Sequence, residues 1–145
     1  MIPMKKILLA DDDDGIRQML GRVLELEQYE VVRSGNGRET AAAFMAEAPE
    51  LVLLDLNLPD RSGWDVFDLM RRTHPAVPVI IITAVSRQQR RAADLGVTLL
   101  EKPLDIPLLL ETIRERLGAS GDGRLAGQED NEPVGAIATP MEDDR

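Results

Sequence analysis

LVLLD, residues 51–55, is an unbroken apolar run closed by an aspartate. A run without polar alternation is the signature of a strand covered on both faces, as in a parallel sheet. Outward from it, one unit repeats. Upstream, Lys5 to Ala10 reads as a strand, four aspartates follow, and Ile16, Met19, Leu20, Val23 and Leu24 recur at helical spacing, with Asp14 able to cap that helix. Glu30 to Ser34 is a second strand, and Gly35-Asn36-Gly37 turns into a helix holding Ala41, Ala42, Phe44 and Met45 that stops before Pro49. Downstream, NLPDRSG is a loop, and a helix with Trp64, Phe67 and Met70 runs until HPAVP breaks it. VIIIT, residues 79–83, is the most β-branched run in the chain and predicts a strand. A polar helix from Arg87 to Leu95 leads through Gly96 to a fifth strand, Val97 to Glu101. Asp105 can cap a last helix with Pro107 in its first turn and Ile106, Leu109, Leu110, Ile113 and Leu117 as its buried stripe. Five strands alternating with five helices predict an α/β, doubly wound parallel sheet with helices on both faces.

Composition bounds the chemistry. Apolar residues make up 43% of the 145 and charged residues 30%, a globular mix. No apolar run approaches the roughly 18 residues of a membrane span or forms a signal-peptide core, which predicts a cytoplasmic protein. With no cysteine and only His74, thiol chemistry, a His-rich metal site and a Ser/His triad have little to draw on. A net charge of −9 argues against direct contact with nucleic acid. From Gly118 onward seven acids against two arginines leave the last 28 residues at −5. That Gly-, Pro- and acid-rich stretch is expected to be a mobile tail, 118–145, behind one folded domain, 1–117. The basic run Arg87, Arg90 and Arg91 reads as a solvated helix face, Trp64 as a packing residue and His74 as exposed.

In open α/β sheets, ligands bind beyond the carboxyl ends of the strands. There this chain collects Asp11 and Asp12, Asp55, Thr83 and Lys102. Carboxylates about 5 Å apart repel by about 3 kcal/mol at an effective dielectric near 20, so such a cluster calls for a cation. Magnesium suits it, accepting one or two carboxylates while keeping waters and a phosphoryl oxygen. A carboxylate beside magnesium, a lysine and a hydroxyl is equipped to attack phosphorus, and Asp55, ending the central strand, is the candidate nucleophile.

The motifs ILLADDDDGIR, LVLLDLNLPDRSGWD, VIIITA and EKPLD, in that order and spacing, resemble the receiver domain of bacterial two-component response regulators from about Lys5 to Leu117. The resemblance implies a flavodoxin-like sheet in order 2-1-3-4-5 and a phosphohistidine on a sensor kinase or histidine phosphotransfer protein that donates to Asp55. Counting back from Arg17 selects Asp11 and Asp12 as the family's acid pair and leaves Asp13 and Asp14 as bystanders. It further implies that Asp12, Asp55 and the backbone carbonyl of Asn57 ligate Mg2+ and that Asp11 acts through water. Thr83 would bond a phosphoryl oxygen, Lys102 would pair with acceptor and phosphate, Ala84 would leave room, and the Lys102–Pro103 bond would be cis. The output would be a protein contact on the face of the fourth helix, fifth strand and fifth helix, since the 28 remaining residues are too few for a DNA-binding domain. One position departs from the family: Leu99 stands where a Tyr or Phe commonly swings inward.

Two other functions compete. Haloacid-dehalogenase-type phosphatases also use a nucleophilic aspartate and magnesium, but want a second acid two residues later, where this chain has Asn57, and place the nucleophile on the first strand. A receiver-like scaffold that binds its partner without phosphate would dispense with the acid, hydroxyl and lysine set present here.

Overall fold

A computed structural model describes residues 3–84 and 87–121, with side chains to 118. The elements are β1 (Lys6–Ala10), α1 (Asp14–Leu26), β2 (Glu30–Ser34), α2 (Gly37–Glu47), β3 (Leu51–Asp55), α3 (Gly63–Thr73), β4 (Val79–Thr83), α4 (Gln89–Leu95), β5 (Thr98–Glu101) and α5 (Ile106–Gly121). All strand pairs are parallel, in order β2-β1-β3-β4-β5. The doubly wound topology is therefore as expected, and β3 is the centre of the sheet. Every residue of β3 is buried, whereas the edge strands β2 and β5 are only partly covered.

Side chains alternate across the sheet. Leu8, Ala10, Val52, Leu54 and Ile81 share one face with Phe44 of α2, Trp64, Phe67 and Met70 of α3, and Ala92 of α4 in a single apolar cluster. Ile7, Leu9, Leu53, Ile80 and Ile82 turn to the other face and are wholly buried, as are Leu20 and Leu24 of α1. Fully burying each such side chain is worth about 1.5–3 kcal/mol. The chain divides at Glu111, inside α5, and the whole sheet lies in the part before the division. Of the part after it, the described residues are helical to Gly121, with Ile113 and Leu117 buried. Among the described residues no helix is long and apolar enough to cross a membrane.

Three helix ends and the burial of one residue differ from expectation. The cap of α1 is Asp13, not Asp14: its Oδ1 accepts from Ile16 N at 2.9 Å, while Asp14 lies inside the first turn. Helix α4 begins at Gln89 rather than Arg87, because Arg87 is left-handed, with φ 70°. Helix α5 runs one turn past Leu117, since a nucleated helix can extend without an apolar stripe. Met19, placed by its spacing on the inner stripe of α1, is 46% exposed. The acidic tail beyond Gly121 lies outside the described residues.

The loop from Leu56 to Ser62 is fastened on both sides. Asp60 accepts from Gly37 N at 2.6 Å and from Arg38 N at 2.9 Å, clasping the start of α2. Gly63, at the other end, passes so close to the chain leaving β3 that a Cβ would sit 2.6 Å from Leu56 Cα and 2.8 Å from the Asp55 carbonyl oxygen. Gly63→Ala should therefore lower unfolding free energy in urea by about 1–3 kcal/mol through overpacking. Gly118→Ala, where a Cβ meets nothing within 4 Å, should leave it unchanged or slightly raised.

The backbone N–H groups of Gly37 and then Arg38 hold the Asp60 carboxyl below the usual aspartate range. A depressed folded-state value adds stability above the unfolded value of about 3.9, and that increment is lost as pH falls through the folded value. Asp60→Asn should consequently melt below wild type at pH 7, and the gap should close on acidification below about pH 4. Paired thermal melts across that range check it.

Candidate functional site

The register sets the strand ends level. Ala10 lies beside Leu54, Asp55 beside Ile82 and Thr83 beside Glu101, so the residues at or just past the ends of β1, β3, β4 and β5 are Asp11, Asp55, Thr83 and Lys102. Asp11 is fully buried, Asp55 is 2% exposed, Thr83 is fully buried and Asp12 faces solvent. Backbone bonds continue the sheet past its formal ends: Lys102 N donates to the Thr83 carbonyl at 2.8 Å, and Leu56 N to that of Ile82 at 3.2 Å. The Lys102–Pro103 bond is cis, as the resemblance implies.

At the centre lies one ammonium between two carboxylates. Lys102 Nζ donates to Asp11 Oδ2 at 3.0 Å and to Asp55 Oδ2 at 2.9 Å. The remaining oxygens are held by backbone: Asp13 N donates to Asp11 Oδ1 and Asn57 N to Asp55 Oδ1, each at 2.9 Å. Asn57 is otherwise exposed, and its backbone bridges to Ser62 across the loop.

Burial pushes the Asp55 carboxyl above its ordinary value, and the charge of Asp11 adds to that push. Hydrogen bonds from Asn57 N and Lys102 pull the other way without overcoming it. Burial also works against the Lys102 ammonium, but hydrogen bonds to Asp55 and Asp11 hold it above its usual value.

Among the described residues, Asp11, Asp12 and Asp55 can each turn one carboxylate oxygen into a group within 4.8 Å of one another. Three acids against one lysine leave the cluster short of positive charge, at a repulsion of about 3–4 kcal/mol for a close pair at an effective dielectric near 20. Hard oxygen donors with that deficit fit magnesium.

Contacts of four residues were missed from sequence. Arg17 Nη1 donates to the Asp11 carbonyl at 2.7 Å, and its Nη2 pairs with Asp14. Asp13, rather than Asp14, caps α1, and its backbone N–H braces Asp11. Asp60 clasps α2, as above. Trp64 is buried as a packing residue, but its Nε1 also donates to Gln88 Oε1 at 3.0 Å, and the Arg91 guanidinium lies 4.7 Å over its ring. Arg91 is thus engaged with an aromatic face, whereas Arg90 is solvated as expected. An i, i+6 bond to a carbonyl and a clasp across 22 residues leave no periodic trace. Leu99 packs against the apolar cluster. Beside Lys102, Ile16, Met19, Pro103, Leu104 and Ile106 line an open apolar cleft of about 230 Å³.

Comparison with known proteins agrees with this geometry. The response regulator receiver domain family matches residues 7–114. The chain is 32% identical over 116 residues to Sporulation initiation phosphotransferase F of Bacillus subtilis, covering 78% of this chain and 94% of that protein. It is 31% identical over 118 residues to the probable transcriptional regulatory protein TcrX of Mycobacterium tuberculosis, covering 79% of this chain and half of that protein. Among solved structures, a CheY-like receiver domain protein from Methanospirillum hungatei superposes with a TM-score of 0.78 at 28% identity, covering 83% of this chain and 99% of that one. TrrA of Thermotoga maritima, solved in complex with Mg(2+)-BeF, superposes at 0.73 with 29% identity, covering 78% and 99%. A family match over most of the chain, the β2-β1-β3-β4-β5 sheet and the acid, hydroxyl and lysine set at its edge lead to one conclusion: the chain belongs to the response regulator receiver domain family.

Proposed function

We propose that the protein is a phosphoacceptor whose Asp55 takes a phosphoryl group from a phosphohistidine on a sensor histidine kinase or histidine phosphotransfer protein. The observation that carries this is the Asp55 carboxylate, almost fully buried at the end of the central strand and 2.9 Å from Lys102 Nζ. An Asp55 oxygen forms the new O–P bond, the donor's N–P bond breaks, and the imidazole leaves with a proton. Lys102 balances charge on the acceptor and then on the phosphoryl oxygens. Thr83 supplies a hydroxyl at the same edge, and Ala84, with its small side chain, leaves space.

In this reading Asp12, Asp55 and the Asn57 carbonyl hold Mg2+, with Asp11 acting through water. The metal, when bound, neutralises charge on the transferring phosphoryl group. The relatives support it as far as their names go: one is a phosphotransferase of sporulation initiation, and another was solved with Mg(2+)-BeF.

The chain then acts on no substrate but itself, catalysing its own phosphorylation and dephosphorylation. The receiver is assigned residues 1–117, with 118–145 following it and α5 continuing to Gly121. Output passes through a protein contact on the α4, β5 and α5 face, in the cytoplasm, with neither nucleic acid nor membrane as a direct partner.

Intact mass after incubation with magnesium and acetyl phosphate tests the reading. Wild type should gain one phosphoryl group, and Asp55→Asn and a magnesium-free control should gain none. No gain on folded wild type at saturating magnesium would favour the phosphate-independent scaffold.

A further inference from the structure

Among the described residues Arg17, like Lys102, reaches the acid loop with its side chain, and there it holds a backbone carbonyl. Its side chain is 21% exposed and is held on several sides. Arg17 N donates to the Asp13 carbonyl within α1, and Asp14 takes Nη2. Gly35 of the β2–α2 turn leaves it room: a Cβ there would sit 3.1 Å from Nη1. From this seat Nη1 donates to the Asp11 carbonyl at 2.7 Å, while Asp11 N donates to the Ser34 carbonyl at 3.1 Å.

Both backbone groups of Asp11 are thereby fixed. A peptide unit is planar, so anchoring the Asp11 carbonyl also fixes the direction in which Asp12 leaves it. Asp12 is the exposed acid of the cluster, whereas Asp11 and Asp55 are already braced by Lys102 and by the backbone of Asp13 and Asn57.

We propose that Arg17 is a positioning residue for the cation site, aiming Asp12 by holding the Asp11–Asp12 peptide. This rests on the reading of the acid cluster as a magnesium site. A planar guanidinium suits the task, since two of its nitrogens serve a carbonyl and a carboxylate at once, which a lysine ammonium does at poorer geometry.

The sign of the effect separates this role from simple electrostatics. A positive side chain beside a cation site repels the cation, so charge alone predicts that removing Arg17 tightens magnesium binding. Positioning predicts that it weakens. Magnesium titration calorimetry on the full chain decides between them, using wild type, Arg17→Gln, Arg17→Lys and, as a charge control on the exposed side of α1, Arg22→Gln.

Arg17→Gln should raise the magnesium Kd about tenfold, in the range found when groups supporting metal ligands are removed. Arg17→Lys should fall between it and wild type, and Arg22→Gln should stay within about twofold of wild type, a surface change of charge screened by salt. At saturating magnesium, phosphoryl uptake by Arg17→Gln from acetyl phosphate should return to the wild-type rate, a split that general destabilisation would not produce. Thermal melts in EDTA confirm folding, and Arg17→Lys carries the test if the glutamine variant unfolds. Wild-type or tighter binding by Arg17→Gln, or by Arg17→Lys in its place, overturns the proposal. Failure of wild type itself to bind magnesium overturns the reading of the site, and this inference with it.

Discussion

Everything at the carboxyl edge of the sheet depends on one ammonium. Lys102 lies 91 residues from Asp11 and 47 from Asp55, yet it hydrogen-bonds both. Two carboxylates this deeply buried would be prohibitive without it, since stripping a buried charge of its partner costs about 3–5 kcal/mol. The packed strands supply the rigidity that brings the three groups together, and the lysine supplies the charge that lets them stay. The compensation is incomplete by design of the chain: one positive charge serves two buried acids and an exposed third. The excess is what gives the edge its appetite for a cation.

The fold was legible because its central strands carry no compromise between core and solvent. LVLLD and VIIIT are buried on both faces and read as such, and the strand ends could be identified residue by residue from the polar side chain that closed each run. The acids, Thr83 and Lys102 followed from that reading together with the resemblance. What escaped were interactions between a side chain and a distant backbone. Arg17 on the Asp11 carbonyl and Asp60 on the N-terminus of α2 obey no period, and Asp13 and Asp14 are equivalent cap candidates until the φ and ψ of the turn are known. Arg87 likewise looks like a helical residue and lies before the helix, because a left-handed φ is invisible in composition.

Carboxylates on backbone N–H groups fasten the loops around the site. Asp11 receives Asp13 N, Asp13 receives Ile16 N, Asp55 receives Asn57 N, Asp60 receives Gly37 and Arg38 N, and Asp105 receives Leu108 N. Each local bond is modest, about 1–2 kcal/mol or less. Together they explain how a chain with 26 acids spends part of its negative charge on architecture.

Trp64 is the chain's single tryptophan, in the first turn of α3, with its N–H on Gln88 before α4 and its face under Arg91. An indole's emission depends on the polarity and charge around it, so the ring is a built-in optical probe of where α4 begins. Because no second tryptophan contributes a background, any rearrangement that draws Gln88 or Arg91 away is written directly into the fluorescence of the native protein, with no label required.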